Sequence, residues 1–495
     1  MPPNRLRRAP APTLRFDEPR PSSDPRRVPR RAGRAETRGL PSATRSTCFP
    51  TRGPSVHYAL AVSFKRALGP FDATMVVIGG IVGSGIFINP YLVARTLDTP
   101  ALVLGAWIAG GAIALAGAFA YAELGQRLPK AGGQYVYLAE AWHPVVGFLY
   151  GWALLFMIET GAMAAVAISF AQYALRLAGQ PDTLVMVVAI AAIVLLSAIN
   201  YVGVTPGSRV NNVFVLLKVT ALGVIILLAL WGPSSPSWLT ASRGDATPSG
   251  ALAFGAALIP ILFAYGGWQN ANYVAEEMRD PKRHLPRALI LGTAIVVVIY
   301  VLANVAYLRT LGLTGLAATE TPAADAAAMW LGAGGARFVA AAIAISTFGF
   351  LDLAILAPTR VYYAMANDGA FLPAVAKLHP RFQTPANAIL LQSAWAIALL
   401  FTGKYGDLLN TVVFADWIFF GLTVAGLFML RRRQGTPDGF RTPGYPWLPA
   451  LFVLVAVVVV YSVVREAPMR AAVGAGLLLI GVPVFYLFKR NSANV

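Results

Sequence analysis

The chain has 495 residues, of which 57% are hydrophobic and only 13% are charged, and its formal net charge is +18. A soluble protein cannot hide so much apolar surface, so the composition excludes that class and indicates a polytopic membrane protein. The single cysteine, Cys48, excludes an intramolecular disulfide framework and a cysteine-built metal site. The four histidines form no paired motif, so we expect no metal, no cofactor and no enzymatic activity.

The first 57 residues hold thirteen arginines against four acidic residues, with prolines and serines throughout. This stretch lacks the hydrophobic run of a signal peptide and has too little apolar surface to order itself. We therefore predict a disordered cytoplasmic tail over residues 1–60 that is attracted to anionic lipid headgroups, rather than a nucleic-acid-binding arm. A membrane domain is predicted over residues 61–490, followed by a short tail over 491–495.

Runs of about 20 apolar residues predict twelve membrane-spanning helices. Their predicted limits are 71–93, 101–124, 144–176, 183–201, 209–231, 251–275, 286–309, 336–361, 385–402, 407–430, 447–464 and 470–488. Two connecting segments also show helical signals, which predict a short helix over Ala323–Trp330 and an interfacial helix over Gly369–Leu378.

The orientation follows from the charges of the predicted loops. With the N-terminus inside, the inner loops carry sixteen lysines and arginines and the outer loops carry eight. Cytoplasmic loops of membrane proteins are enriched in these residues. The sequence therefore predicts that both termini lie in the cytoplasm.

Two of the predicted spans are interrupted by glycine at their middles. The first carries Gly83-Ser84-Gly85, and the sixth carries Gly266-Gly267. A helix in lipid can unwind only where a ligand or a cavity replaces the lost backbone hydrogen bonds. Interrupted spans at matching places in two halves of a chain point to a transporter with a central binding site. Spans 1–5 and 6–10 would form those two halves.

The chemistry of the two interruptions differs. The first would present free N–H groups and the Ser84 hydroxyl at the positive end of a half-helix, which favours a carboxylate. Its alternative is a close-packing face of small residues. The second would offer carbonyls to an ammonium group, with Phe263 and Trp268 as gating or lining residues. Its alternative is a kinked helix whose aromatic side chains merely pack.

Several motifs stand out along the chain. They are GSGIF at 83–87, YAELG at 121–125, PKAGGQY at 129–135, FAYGGW at 263–268, EEMRDP at 276–281 and LPRA at 285–288. Together they resemble the amino acid–polyamine–organocation (APC) superfamily, above all its L-type amino acid transporter branch and bacterial relatives of that branch. The resemblance covers residues 65–490 and leaves out the N-terminal tail.

The resemblance implies an all-α polytopic membrane protein with twelve transmembrane helices. Its LeuT-type fold would consist of two inverted five-helix repeats, with helices 1 and 6 broken, plus two C-terminal helices. The first repeat would cover residues 71–231 and the second residues 251–430. The two extra helices would lie within residues 447–488.

In that family the motif of the first span binds the α-carboxylate of the substrate, and carbonyls of the sixth span bind the α-amine. The residues nominated by this match are Ile81, Ser84 and Gly85 for the carboxylate and Phe263, Ala264 and Gly266 for the amine. Phe263 also resembles the aromatic gate of the family.

Ionisable residues inside spans are costly to bury and are therefore functional candidates. Lys218 matches a family lysine whose ammonium replaces a sodium ion of sodium-driven relatives. It would act in coupling, as a fixed counter-charge or a proton carrier, unless it extends to the membrane surface. Glu159, in the third span, could line the side-chain pocket and favour a cationic or polar amino acid. It could also take a proton, or bond to a neighbouring helix.

Other charged residues receive more general expectations. Asp352 and Asp416 are expected to form interhelical hydrogen bonds. A further group at the inner ends of spans 1, 2 and 6 forms either a solvated rim or a gate of ion pairs. Its members are Asp72, Glu123, Glu276, Glu277, Arg279 and Arg283.

We interpret the sequence as a sodium-independent secondary transporter of amino acids that works by alternating access, as an exchanger or a proton-coupled importer. One alternative is a transporter of cationic amino acids or polyamines, and the other is a non-transporting amino acid sensor. Animal members of the L-type branch join a heavy chain through a cysteine after span 3, and the loop around Leu177–Asp182 has none. We therefore expect a monomer of the bacterial inner membrane, with an amino acid and the lipid bilayer as partners, no disulfide-linked heavy chain and no nucleic acid.

Overall fold

The computed structural model describes residues 64–232, 234–236, 238–242, 250–401, 405–466 and 468–493. The regular structure within these ranges is helical, without a β-strand. The tail predicted over residues 1–60 lies outside them.

The first part of the chain forms nine α-helices. They are α1 (Pro70–Ile81), α2 (Gly85–Ile88), α3 (Pro90–Thr96), α4 (Pro100–Arg127), α5 (Gln134–Ala141), α6 (Pro144–Ala153), α7 (Glu159–Ala178), α8 (Val185–Val202) and α9 (Val204–Trp231). A π-helical turn, Leu154–Ile158, joins α6 to α7, and a 3-10 turn, Asp182–Leu184, precedes α8.

The described residues of the second part form ten α-helices. They are α10 (Ala251–Ala264), α11 (Asn270–Tyr273), α12 (Pro281–Ala318), α13 (Pro322–Leu331), α14 (Ala333–Leu356), α15 (Thr359–Asn367), α16 (Ala386–Leu400), α17 (Tyr405–Gln434), α18 (Trp447–Glu466) and α19 (Pro468–Ala493). Short 3-10 turns lie at Ala275–Glu277 and Pro373–Ala376. α12 is kinked at Gly312, where φ is 68°.

Nine helical segments of the described chain are long and apolar enough to cross a membrane. They are Pro100–Arg127, Pro144–Ala178, Asp182–Val202, Val204–Trp231, Pro281–Ala318, Gly334–Asn367, Phe414–Gln434, Trp447–Arg465 and Ala471–Arg490. Three shorter apolar helices, Pro70–Ile81, Leu252–Ala264 and Ala386–Leu400, lie where the remaining spans were predicted. The structure therefore confirms an all-helical, multi-pass membrane protein.

Both predicted interruptions are present. α1 ends at Ile81 and α2 begins at Gly85, which leaves residues 82–84 non-helical. α10 ends at Ala264, and α11 begins only at Asn270. We call residues 82–84 the first gap and residues 265–269 the second gap.

The two broken spans touch through backbone. A Cβ atom on Gly80 would collide with the carbonyl oxygen of Gly267, and a Cβ on Gly267 would collide with the backbone of Gly80. Gly79 packs in the same way, because its Cβ would lie 2.7 Å from the side chain of Asn211. Close packing of small residues thus describes Gly79 and Gly80. Gly83 is different, since the nearest atom to its Cβ would be 3.8 Å away, on Phe350.

Of the two helices predicted between spans, the structure contains one. The first is confirmed as α13, which begins at a proline as the sequence indicated. The interfacial helix predicted over Gly369–Leu378 is wrong, because only one 3-10 turn forms, at Pro373–Ala376. Pro373 lacks an N–H and prevents a helix from passing through it. Phe371 and Val375 are buried in the protein instead of facing lipid.

The expected charged rim is in part an arrangement of buried ion pairs. Arg360 of α15 donates to both carboxylate oxygens of Glu277, with Nε–Oε1 and Nη2–Oε2 distances of 2.5 and 3.2 Å. Glu123 of α4 accepts from Arg127 at 2.9 Å and from Arg431 of α17 at 2.8 Å. A solvated rim is therefore wrong for these two glutamates. Burial makes such pairs costly to break from one side.

We predict that Gly267→Ala destabilises the protein strongly. The φ of Gly267 is +103°, and the added methyl group would meet the backbone of Gly80. The backbone conformation alone costs an L-residue about 1–3 kcal/mol. Gly255→Ala is the matched control, because its Cβ enters open space within helix α10. Thermal unfolding in detergent should show a much lower melting temperature for Gly267→Ala and no decrease for Gly255→Ala. Equal melting temperatures would contradict the backbone contact.

Candidate functional site

A cavity of about 290 Å³ lies at the two gaps. All seven residues predicted to bind substrate line it, namely Ile81, Ser84, Gly85, Glu159, Phe263, Ala264 and Gly266. Its volume is at the lower end of the roughly 300–1,000 Å³ typical of small-molecule sites. The cavity therefore suits one small metabolite rather than a peptide.

The first gap offers hydrogen-bond donors to this cavity. Because α2 begins at Gly85, the N–H groups of Ser84, Gly85 and Ile86 precede the first helical hydrogen bonds. Within the described part of the chain, these three N–H groups have no acceptor. The Ser84 hydroxyl makes no capping bond. Unpaired donors at a helix start form a favourable environment for an anionic oxygen.

The second gap offers acceptors. The N–H of Gly266 donates to the carbonyl of Phe263 at 3.1 Å. In a continuous helix it would donate to the carbonyl of Leu262. The carbonyls of Leu262 and Ala264 consequently have no backbone donor among the described residues. Carbonyls at the end of a helix carry partial negative charge and attract a cation.

Lys218 of α9 contacts the carbonyls of the first broken span. Its Nζ donates to the carbonyl oxygens of Gly79 at 2.9 Å and Val82 at 2.5 Å. The side chain is fully buried, so the alternative prediction that Lys218 extends to the membrane surface is wrong. Lys218 does not line the cavity and lies behind the first gap.

Two hydroxyl groups complete this arrangement. Tyr300 of α12 donates to the carbonyl of Ile81 at 3.0 Å. Ser346 of α14 lies 3.2 Å from the carbonyl oxygen of Gly83, within donating distance. Side chains of three helices thus satisfy the carbonyls of the unwound backbone, while the N–H groups of the next residues stay open to the cavity.

Glu159 occupies the cavity wall because of the turn that precedes it. The π-helical turn Leu154–Ile158 ends immediately before it. The hydroxyl of Thr160 donates back into that turn, to the carbonyl of Leu155 at 2.6 Å. A π turn inserts an extra residue and rotates the next part of the helix, and such turns are frequent at functional sites. Glu159 is 5% exposed.

The two aspartates have different outcomes. Asp352 accepts from the side chain of Asn200 at 2.7 Å, which confirms its interhelical hydrogen bond. Asp416 lines the cavity, and its Oδ1 is buried without a hydrogen-bond partner among the described residues. The interhelical bond expected for Asp416 is therefore wrong for that atom. Its place on the wall depends on how α17 packs, and no local motif reveals that.

The two aromatic gate candidates are also placed differently. Phe263 lines the cavity and is 37% exposed. Trp268 is buried behind the wall, with its ring 4.6 Å from that of Tyr121 and 5.5 Å from that of Phe420. Phe420 itself lines the cavity, so Trp268 touches the site through it.

Further lining residues were not singled out in the sequence. Gln269 and Asn270 directly follow the FAYGGW motif, so their position was a usable signal. Thr347 and Phe350 of α14 carry no such signal. A second cavity of about 290 Å³ shares Ile88 with the first and is lined by charged residues that include Arg176, Glu320 and Arg337.

Comparison with known proteins gives the family. Residues 68–482 match the family model for amino acid permeases. The chain belongs to the amino acid permease family. Its function is amino acid transport, and the motifs that resembled the APC superfamily lie within the matched residues.

Curated relatives match nearly the whole permease domain. The chain is 32% identical over 434 residues to the serine/threonine exchanger SteT of Bacillus subtilis, which covers 87% of this chain and 98% of SteT. It is 32% identical over 438 residues to the human large neutral amino acids transporter small subunit 2, and this match covers 86% of this chain and 81% of the relative. It is 31% identical over 436 residues to the human b(0,+)-type amino acid transporter 1, and this match covers 86% of this chain and 88% of the relative.

We predict that Lys218→Met destabilises the permease and weakens amino acid binding. Methionine keeps the length of the side chain but leaves the carbonyl of Gly79 without its donor and that of Val82 with only the Ser346 hydroxyl, 3.3 Å away. An unsatisfied buried carbonyl costs about 1–3 kcal/mol. Tyr300→Phe removes the hydroxyl that donates to the carbonyl of Ile81 and should lower the stability less than Lys218→Met does. Melting temperatures of the purified variants test this order. A Lys218→Met protein as stable as the unmodified chain would contradict it.

Proposed function

We propose that this permease carries one α-amino acid by alternating access, without sodium, as an exchanger or a proton-coupled importer. A single cavity that receives open N–H groups from one broken span and unpaired carbonyls from the other supports this proposal. The carboxylate and the ammonium group of an α-amino acid are joined through one carbon. A ligand that contains both therefore matches two such gaps placed side by side.

We assign a part of the substrate to each group of residues, and the placement of the gaps supports this assignment. Ile81, Ser84 and Gly85 would bind the carboxylate. Phe263, Ala264 and Gly266 would bind the amine. Phe263 and Trp268 would gate the cavity, Trp268 acting through Phe420. No metal, cofactor or catalytic residue enters this scheme.

The architecture we propose has twelve spans in two inverted five-helix repeats, followed by two C-terminal helices. The three short apolar helices would complete the nine long segments. Breaks in the first and sixth spans support the repeat, because both halves would open with an interrupted helix. The loop charges support cytoplasmic termini, and the single cysteine supports a permease without a disulfide-linked heavy chain. We place it as a monomer in the bacterial inner membrane.

The place of Lys218 supports sodium independence. Its ammonium group contacts two backbone carbonyls of the broken first span. Unwound carbonyls of this kind coordinate sodium in transporters with broken helices. A fixed cation at these oxygens repels a second cation, so the position is closed to sodium while Lys218 is charged.

We predict that amino acid uptake into proteoliposomes is unchanged when external sodium is replaced by choline. Vesicles should be tested empty and preloaded with amino acids, because faster uptake into preloaded vesicles indicates exchange. Protein-free vesicles serve as the control for leakage. Uptake that rises steeply with sodium would contradict the role given to Lys218. Binding without uptake under any gradient would instead favour a sensor.

A further inference from the structure

The charged groups on the cavity wall have one sign. Among the described residues that line the cavity, Glu159 and Asp416 are the acidic members, and there is no lysine, arginine or histidine. Glu159 comes from α7 and Asp416 from α17. Neither belongs to the broken spans that face the backbone atoms of a bound amino acid. These two carboxyl groups therefore lie on a part of the cavity wall that the broken spans do not form.

Glu159 is buried and Asp416 is partly buried, and both differ from the remaining buried acids of the described chain. Glu123 and Glu277 are paired with arginines, and Asp352 accepts a hydrogen bond from an asparagine. Each of these three has at least one partner supplied by the protein, although Oδ2 of Asp352 is buried without one.

The carboxyl group of Glu159 has no hydrogen-bond partner among the described residues, although the side chain is 95% shielded from solvent. The carboxyl group of Asp416 lines the same cavity. Asp416 has a buried Oδ1 that is likewise unbonded. The protein thus places two acids beside one cavity and supplies no cation to either.

Two carboxyl groups on one cavity wall without a counter-ion, one buried and one partly buried, are unfavourable in their charged forms. A ligand with a cationic side chain would remove that cost and gain charge-assisted hydrogen bonds. A ligand with an apolar side chain would leave both groups unpaired.

We propose that the substrate is an amino acid with a guanidinium or ammonium side chain, which Glu159 and Asp416 bind at the side-chain end of the cavity. The inference rests on the proposed function, because it takes the backbone end of the cavity as the site of the α-carboxylate and α-amine. It also separates cationic amino acids from polyamines. A polyamine has no carboxylate for the open N–H groups of Ser84, Gly85 and Ile86.

The test uses thermal unfolding of the purified full chain with matched ligands. Arginine carries an α-carboxylate, an α-amine and a cationic guanidinium group. Citrulline replaces the guanidinium by a neutral urea group, and agmatine lacks the carboxylate. Serine and leucine represent neutral amino acids. A ligand that binds the native state raises the melting temperature in proportion to its saturation. We expect stabilisation by arginine and lysine, with an apparent affinity at least about tenfold above that of citrulline or agmatine.

Glu159→Gln and Asp416→Asn keep the shapes of the side chains and remove their charges. Each should weaken arginine binding by about tenfold or more, while the affinity for citrulline stays the same or rises. Asp352→Asn is the matched control, since Asp352 is a buried acid outside the cavity wall and should leave ligand preference unchanged.

The outcomes separate this inference from the proposed function. Stabilisation by serine or leucine but not by arginine would overturn the cationic class and leave amino acid transport standing. Stabilisation by agmatine as strong as by arginine would overturn the carboxylate site. Variants of Glu159 and Asp416 that fold normally and keep full preference for arginine over citrulline would show that these acids do not select the substrate. No response to any amino acid would contradict the proposed function itself.

Discussion

Backbone that leaves a helix inside a membrane protein needs new hydrogen-bond partners, and the first gap meets this need in an asymmetric way. Lys218 donates to the carbonyl of Val82, Ser346 lies within donating distance of that of Gly83, and Tyr300 donates to that of Ile81, the last residue of α1. The N–H groups of the next residues, Ser84, Gly85 and Ile86, have no partner in the described chain. The protein thus satisfies the acceptors and leaves the donors open. In the proposed function this asymmetry selects a negatively charged group, and the positive end of the half-helix adds to that preference.

The second gap has the opposite polarity and is held against the first. The contact between Gly80 and Gly267 leaves no room for a side chain on either residue. It brings the carbonyl-rich end of α10 beside the donor-rich start of α2. Gly85 adds to this fit, because its Cβ would lie only 3.0 Å from that of Ala264. In the proposed function, substrate recognition depends on this backbone proximity, which the glycines permit.

The fold and the backbone end of the site were largely predictable from the sequence. The apolar runs gave the helices, and the glycines gave both gaps, because lipid imposes strong rules on backbone hydrogen bonding. The side-chain end was less predictable. Glu159 was identified by its cost of burial, but Asp416 was assigned to helix packing. The π turn before Glu159 has no clear local signature. The arginine partners of the inner glutamates, Arg360 and Arg431, come from distant helices whose packing no local pattern specifies. The motif of Trp268 predicts a place at the cavity, whereas its ring packs behind Phe420, which lines the cavity.

We propose that the two gaps bind the α-carboxylate and the α-amine of one amino acid. The most direct measurement is an experimental structure of the full chain in a lipid nanodisc with saturating arginine. We expect ligand density in the cavity between the gaps, with the carboxylate at the N–H groups of Ser84–Ile86 and the amine at the carbonyls of α10. Density confined to the second cavity, beside Arg176 and Arg337, or a ligand whose carboxylate points toward α10, would contradict it.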